Sequence, residues 1–202
     1  MHISEGVLSL PVLVVGGALT LGGLYKGLKA IKDEDTPRAA ILAAVFFTAS
    51  LIHVNIGPSS THLILSGLIG LIMGWAAFPV IFLGLLLQGV LFSFGGLTTL
   101  GVNTFNMAAP AVLVAWLFKR SVNGKNSSLA AVGGFMTGSL PILISGFLVG
   151  FCLTLSGERF FTVAVAVFLS NLPIVVIEGL FCTFCVQFLR KVRPAILRPQ
   201  IA

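Results

Sequence analysis

Residues 7–23 read VLSLPVLVVGGALTLGG, an apolar run without a single charge, and the residues ahead of it read MHISEG, 1–6. A run of this kind near an N-terminus is either a secretory signal or a first membrane span. A signal would open on basic residues and close on a small-residue cleavage site. The only early charge is Glu5, and no cleavage pattern follows. Residues 1–6 are therefore expected to stay on the mature chain.

The rest of the chain repeats the pattern. Of 202 residues, 57% are hydrophobic and 9% charged, where a soluble domain carries about a quarter charged residues. The mean hydropathy is +1.09. Apolar stretches of membrane-crossing length recur to the end, and the short alternating segments of a transmembrane barrel are absent. The sequence predicts an all-α membrane protein, a single polytopic domain over 1–202 with no room for a soluble one. Breaks in hydropathy place seven spans at roughly 7–25, 38–54, 61–77, 79–94, 104–118, 129–153 and 160–189. Only the Phe78-Pro79 turn separates the third from the fourth.

Charge sets the orientation. Lys26, Lys29, Lys32 and Arg38 lie between spans one and two, and Lys119, Arg120 and Lys125 between five and six. Arg190, Lys191, Arg193 and Arg198 form the tail, which leaves only Arg159 outside these segments. With seven spans all three segments fall on one side, which the positive-inside rule makes cytoplasmic. The N-terminus is then outside and the C-terminus cytoplasmic. The net charge of +6 is a topology signal, suited also to anionic lipid or a cytoplasmic partner, and requires no nucleic acid. Cys152, Cys182 and Cys185 all fall within spans. The CxxC of the last two, on a Phe-rich helix, reads as small apolar residues and is assigned neither a disulfide nor a metal.

The outward polar segments carry the chemistry. They are MHISEG, the loop IHVNIGPSSTHL (52–63) and FSFGGLTTLGVNTFNM (92–107). Together they hold all three histidines, His2, His53 and His62, and the pair Asn103 and Asn106. Gly57-Pro58 and Gly95-Gly96 break helix and let backbone fold back into the protein. Three histidines on one side of so apolar a chain are candidates for a transition-metal site. In the plainer reading each one caps a helix or sits at the headgroup interface.

His2 bears on that choice. Methionine aminopeptidase needs a small second residue, so Met1 is expected to remain. A free Met1 amine, the His2 backbone nitrogen and the His2 imidazole can then close two adjacent chelate rings on one ion. Three nitrogens lie in a plane with one corner open, and a second histidine such as His62 can fill it. Four planar nitrogens suit Ni(II) or Cu(II) better than Zn(II) or hard ions. The amide must lose its proton to bind, so affinity rises with pH.

At these residues the chain resembles the CbiM/NikM proteins, the substrate-binding S components of energy-coupling-factor transporters for cobalt and nickel. MHISEG, IGPSSTHL and GGLTTLGVNTFNM carry the resemblance, which spans nearly the whole chain. It implies a seven-helix protein of a prokaryotic cytoplasmic membrane, whose first helix brings the N-terminus into an extracytoplasmic metal pocket. It implies Met1, His2 and the THL histidine, His62, as ligands of Ni(II) or Co(II). Asn103 and Asn106 match a stretch lining that pocket, behind the ligands. His53 has no counterpart role and is placed either behind the ligands or at the interface. Implied partners are a transmembrane coupling subunit, two cytoplasmic ATPases and, where required, a separate small two-helix component.

The chain itself has no engine. The nearest string to a Walker A loop, Gly124-Lys125-Asn126-Ser127, lacks the earlier glycine and the adjacent hydroxyl. HExxH and GxSxG are absent. The expectation is a transport subunit, not an enzyme. The rival reading is a membrane-embedded metal-dependent hydrolase or a stand-alone divalent-cation channel. A catalytic zinc site would need an open position and a nearby base, where Glu5 and Glu158 are the only outward carboxylates. A channel would need a continuous polar path, and spans six and seven offer little to line one. In PRAAILAAVFF, Ala40 and Ala44 form a small-xxx-small face that permits close helix approach. It resembles the alanine motif on which S components dock, with packing inside the chain as the alternative. Gly16, Gly17, Gly22 and Gly23 are assigned to packing of span one. Glu178, the one carboxylate in mid-chain apolar sequence, is a functional candidate. It is expected far from the metal pocket, in a structural or coupling contact, with Pro173 kinking its helix.

Overall fold

The structure, a computed structural model, describes residues 3–51, 53–56, 59–157 and 160–197, with 53–56 and 59–61 as backbone only. Among these residues are eight α-helices: α1 Leu10–Ala30, α2 Thr36–Ala49, α3 Ser66–Met73, α4 Ala77–Phe92, α5 Leu100–Asn123, α6 Ser127–Ser156, α7 Phe161–Ser170 and α8 Leu172–Val192. One antiparallel hairpin, β1 His53–Ile56 and β2 Ser59–His62, interrupts the helical pattern, with His53 opposite His62.

Five helical stretches are long and apolar enough to cross a membrane: Leu10–Ala30, Ser66–Phe92, Leu100–Asn123, Ser127–Ser156 and Phe161–Val192. The seven predicted spans thus become five of crossing length among the described residues. The predicted second span is a 14-residue helix. The predicted third is largely replaced: its first residues belong to β2, and α3 has 8 residues. At 1.5 Å per residue that is about 12 Å, well short of the ~30 Å hydrocarbon thickness. A turn at Gly74 (φ 55) then leads into α4. Pro173 does not kink a running helix. It sits in the first turn of α8, where its missing N–H costs nothing, and Asn171 divides α7 from α8.

The core forms around α3 and α4. Phe46, Ile69, Ile81, Met107, Ile142 and Ile174 pack there from six different helices and all are nearly inaccessible. α1 and α7 lie on the outside and present apolar side chains such as Val14, Leu21, Phe161 and Leu169 to the surroundings, as lipid-facing helices do. Glycines set the closest approaches. A Cβ on Gly67 would run into the carbonyl of Thr137 in α6, one on Gly70 into the carbonyl of Ala111 in α5, and one on Gly138 into the carbonyl of Glu178 in α8. α3 is therefore seated directly on α5 and α6. In α1, Gly16 meets Val102 and Gly23 meets Phe78, whereas a Cβ on Gly22 would meet nothing. The packing role expected for Gly22 is not what the structure gives it.

The basic segments share one end of the molecule. Asn123, beside Lys119 and Arg120, donates to the carbonyl of Leu197 at 2.9 Å, and Arg190 donates to the carbonyl of Val122. Lys26 and Lys119 border the same cavity.

Gly67→Ala should wedge α3 from α6 and cost about 1–3 kcal/mol, read as a lower thermal unfolding midpoint in detergent. Gly17→Ala, whose Cβ enters open space, should change stability by less than about 0.5 kcal/mol. Equal midpoints for the two variants would refute the close seating of α3.

Candidate functional site

The N-terminal segment is anchored in the helical bundle at two residues. Ile3 and Leu8 are buried against Val102 of α5, Val149 and Leu153 of α6, and Ala164 of α7. Thr99, Asn103 and Asn106 follow one another at i, i+4 and i+7, one face at the start of α5. Asn103 treats Ile3 as a strand partner would. Its Oδ1 accepts from the Ile3 N–H at 3.0 Å and its Nδ2 donates to the Ile3 carbonyl at 3.1 Å. The Thr99 hydroxyl also donates to that carbonyl, at 2.8 Å, and Asn103 Nδ2 reaches Thr99 Oγ1 at 3.2 Å.

Further along, the Glu5 carboxylate accepts from the N–H of Leu97 at 2.8 Å and of Thr98 at 3.3 Å, ahead of α5. Gly96 makes room for it, since a Cβ there would press on the Glu5 side chain. Gly95 turns the chain at φ 81, as its place in the sequence suggested. Ser156 of α6 accepts from the Ser9 N–H at 3.0 Å. Asn106, buried, sits beside Cys152, with Nδ2 3.8 Å from Sγ, while its carbonyl accepts from Ser145 at 2.6 Å.

His62 ends β2 and is buried. Its Nδ1 lies 2.9 Å from the carbonyl of Leu63, and because a carbonyl only accepts, Nδ1 is the protonated nitrogen. Leu65 then takes a left-handed conformation (φ 58) before α3 begins. Glu178 meets this turn. Its carboxylate accepts from the N–H of Ile64 and, at 2.9 and 3.1 Å, from that of Leu65. Glu178 is 1% exposed, and among its three bonds are the backbone groups directly after His62. Glu178 makes the structural contact expected of it, and it makes it to the backbone two and three residues after His62. The loop descends into the bundle and reaches it.

Of the residues singled out in the sequence, Met1 and His2 lie outside the described residues, as do Gly57 and Pro58, and so does the side chain of His53. Asn103 is joined to the segment that leads to His2. His62, Asn103 and Asn106 are each buried. Ala40 and Ala44 are exposed, while Ala43 and Phe46 carry the inward face of α2. Thr99 escaped the sequence reading, its one signal being its place four residues before Asn103. Among the described residues no three His, Cys, Asp or Glu side chains gather as a ligand set.

The family described as "Cobalt uptake substrate-specific transmembrane region", CbiM, matches residues 2–196. The chain belongs to the CbiM family. This CbiM chain is 38% identical to a putative metal transport protein of Haemophilus influenzae, over 98% of its own length and 97% of the relative's. It is 30% identical to a cobalt transport protein CbiM of Kyrpidia tusciae, covering 98% and 86%. A solved transition metal transporter superposes with a TM-score of 0.76 at 28% identity, over 95% of this chain and 93% of that one. This CbiM protein is thus a membrane component of a cobalt/nickel transport family, with five apolar membrane-length helices among its described residues.

Asn103→Leu leaves the buried N–H of Ile3 without its acceptor, which costs about 1–3 kcal/mol. The expected outcome is faster hydrogen exchange at Ile3, with the exchange of α6 unchanged. Glu178→Gln keeps the shape and the oxygen that accepts from both amides but puts an NH2 where Oε2 accepts from Leu65, and faster exchange at Leu65 should follow. Wild-type exchange at these amides would remove the two clamps from the argument.

Proposed function

We propose that this protein is the substrate-capturing subunit of an ATP-driven Ni(II)/Co(II) importer of the energy-coupling-factor type, in the cytoplasmic membrane of a prokaryote. The ion is taken in an extracytoplasmic pocket by the Met1 amine, the His2 backbone nitrogen, the His2 imidazole and His62. The observation that carries this reading is the clamp on Ile3. Thr99 and Asn103, at the start of α5, fix both backbone groups of the residue next to His2, which supports a terminus with little freedom left to lose. A chelate built on a chain terminus needs such order, because each unrestrained bond raises the cost of closing the ring.

His62 fits the fourth corner. With Nδ1–H engaged by the Leu63 carbonyl, the neutral imidazole carries its lone pair on Nε2, the usual arrangement behind a metal-bound histidine. Glu178 acts behind it, holding the backbone of residues 64 and 65. Asn103 does the same for the N-terminal arm. Planar nitrogen coordination favours Ni(II), and because the His2 amide must deprotonate, uptake affinity should rise with pH.

Energy comes from partners. The sequence contains no phosphate-binding loop, so two ATPase subunits and a transmembrane coupling subunit supply it. The exposure of Ala40 and Ala44 supports the second helix as the docking face.

Adding one or two residues ahead of Met1 turns the terminal amine into a peptide nitrogen while leaving every side chain intact. The extended protein should fold and insert normally. Titration with Ni(II) should show a weakening beyond the roughly 10–100-fold expected for loss of a group behind the ligands, such as Asn103→Ala. Binding as tight as that of the native chain would show that the amine is not a ligand. Ala40→Leu and Ala44→Leu should leave Ni(II) binding intact and reduce recovery of the coupling subunit in co-purification. Normal assembly of both variants would place docking elsewhere.

A further inference from the structure

α1 and α5 touch closely over one turn and then part. Gly16 lies against Val102, a Cβ on Gly101 would press on Gly17, and Thr20 donates to the Gly101 carbonyl at 2.5 Å. Beyond this contact the space between the two helices is a cavity of about 550 Å³, within the ~300–1,000 Å³ of ordinary ligand sites. The chain's only two tryptophans, Trp75 and Trp116, both line it. So do Lys26 and Lys119, near the C-terminal ends of α1 and α5. Lys26 Nζ lies 4.7 Å from the centroid of the Trp75 ring. Trp116 is 62% exposed, and a Cβ on Gly22 would meet nothing within 4 Å, so the cavity opens sideways to the membrane.

We propose that this cavity binds one anionic phospholipid, its acyl chain between α1 and α5 and its phosphate against Lys26 and Lys119. The lining has two chemistries in sequence, and a phospholipid has the same two. Along Leu19, Phe78, Phe105 and Val112 the wall is apolar, which would exclude a free anion but suits a hydrocarbon chain. At the end shared by the basic segments two ammonium groups and two indoles border the space, the residue types that settle at headgroup level. Gly22 is left out of the packing of α1 and keeps the lumen open. An apolar partner helix laid in the same place would set hydrocarbon against the Lys26 ammonium, at a steep cost. The site is separate from the proposed metal pocket and does not depend on it.

The test is native mass spectrometry of the detergent-purified chain with equimolar phosphatidylglycerol and phosphatidylcholine of identical acyl chains. Phosphatidylglycerol should be retained preferentially, by roughly fivefold for each lysine engaged. Lys26→Gln combined with Lys119→Gln should erase the preference and spare phosphatidylcholine retention. Gly22→Leu, which α1 has room to carry, should fill the cavity and reduce retention of both lipids severalfold, with Ni(II) binding and the thermal midpoint unchanged. Equal retention of the two lipids by the native chain overturns the proposal, as does a preference that survives the double substitution. So does a Gly22→Leu chain that keeps its lipid but no longer assembles with the coupling subunit, since the cavity would then seat a protein helix.

Discussion

Two pieces of non-helical backbone bury residues in a helical bundle, at Ile3 and at Ile64–Leu65, and satisfying their polar groups is the constraint on which the other features depend. Hydrocarbon offers no water to an unpaired N–H or C=O, and each orphan costs several kcal/mol. Ile3 presents one donor and one acceptor and is met by Asn103, whose amide supplies one of each. Ile64 and Leu65 present adjacent donors just before α3 and are met by Glu178, an acceptor-only group when ionised. The residue type follows in each case from the backbone groups to be matched. Exchanging the two side chains would leave both sites wrong.

The glycines act on the same constraint from the other side. A chain can carry a turn into the bundle only if the helices beyond it come close enough to close the core around it. Gly67, Gly70 and Gly138 let α3 lie on the backbones of α5 and α6, and α6 on that of α8. This seating places a helix of 8 residues in the middle of the protein, where the turn before it can be reached by a side chain from the last helix.

The sequence revealed the class of protein, for identifiable reasons. Hydropathy registers a membrane helix strongly, and the basic segments share one end of the molecule. Asn103 could be recognised because GVNTFNM is a specific string. The third span was misread because Leu63, Ile64, Leu65, Leu68 and Ile69 form one apolar run, and hydropathy cannot register a left-handed Leu65 inside it. No glycine or asparagine announces that turn. The bond that stabilises it comes from Glu178, 113 residues further on. Proximity across such a separation is a property of the folded chain and leaves no local trace. Pro173 was misassigned for a simpler reason: proline is compatible with a kink and with a helix start, and only the break at Asn171 decides between them.

The clamp on Ile3 also imposes an order on biogenesis. Its partner Asn103 lies 100 residues further along the chain, so the N-terminal arm is made long before the residues that receive it. At roughly 5–20 residues per second of synthesis, it waits on the order of 5–20 s. The second clamp is later still, because Glu178 follows Ile64 by 114 residues. A nascent chain that has inserted its first helices carries every nitrogen proposed to bind the ion, yet it lacks both groups that hold them in place. The proposed pocket therefore gains its last backbone support only when α8 has been made.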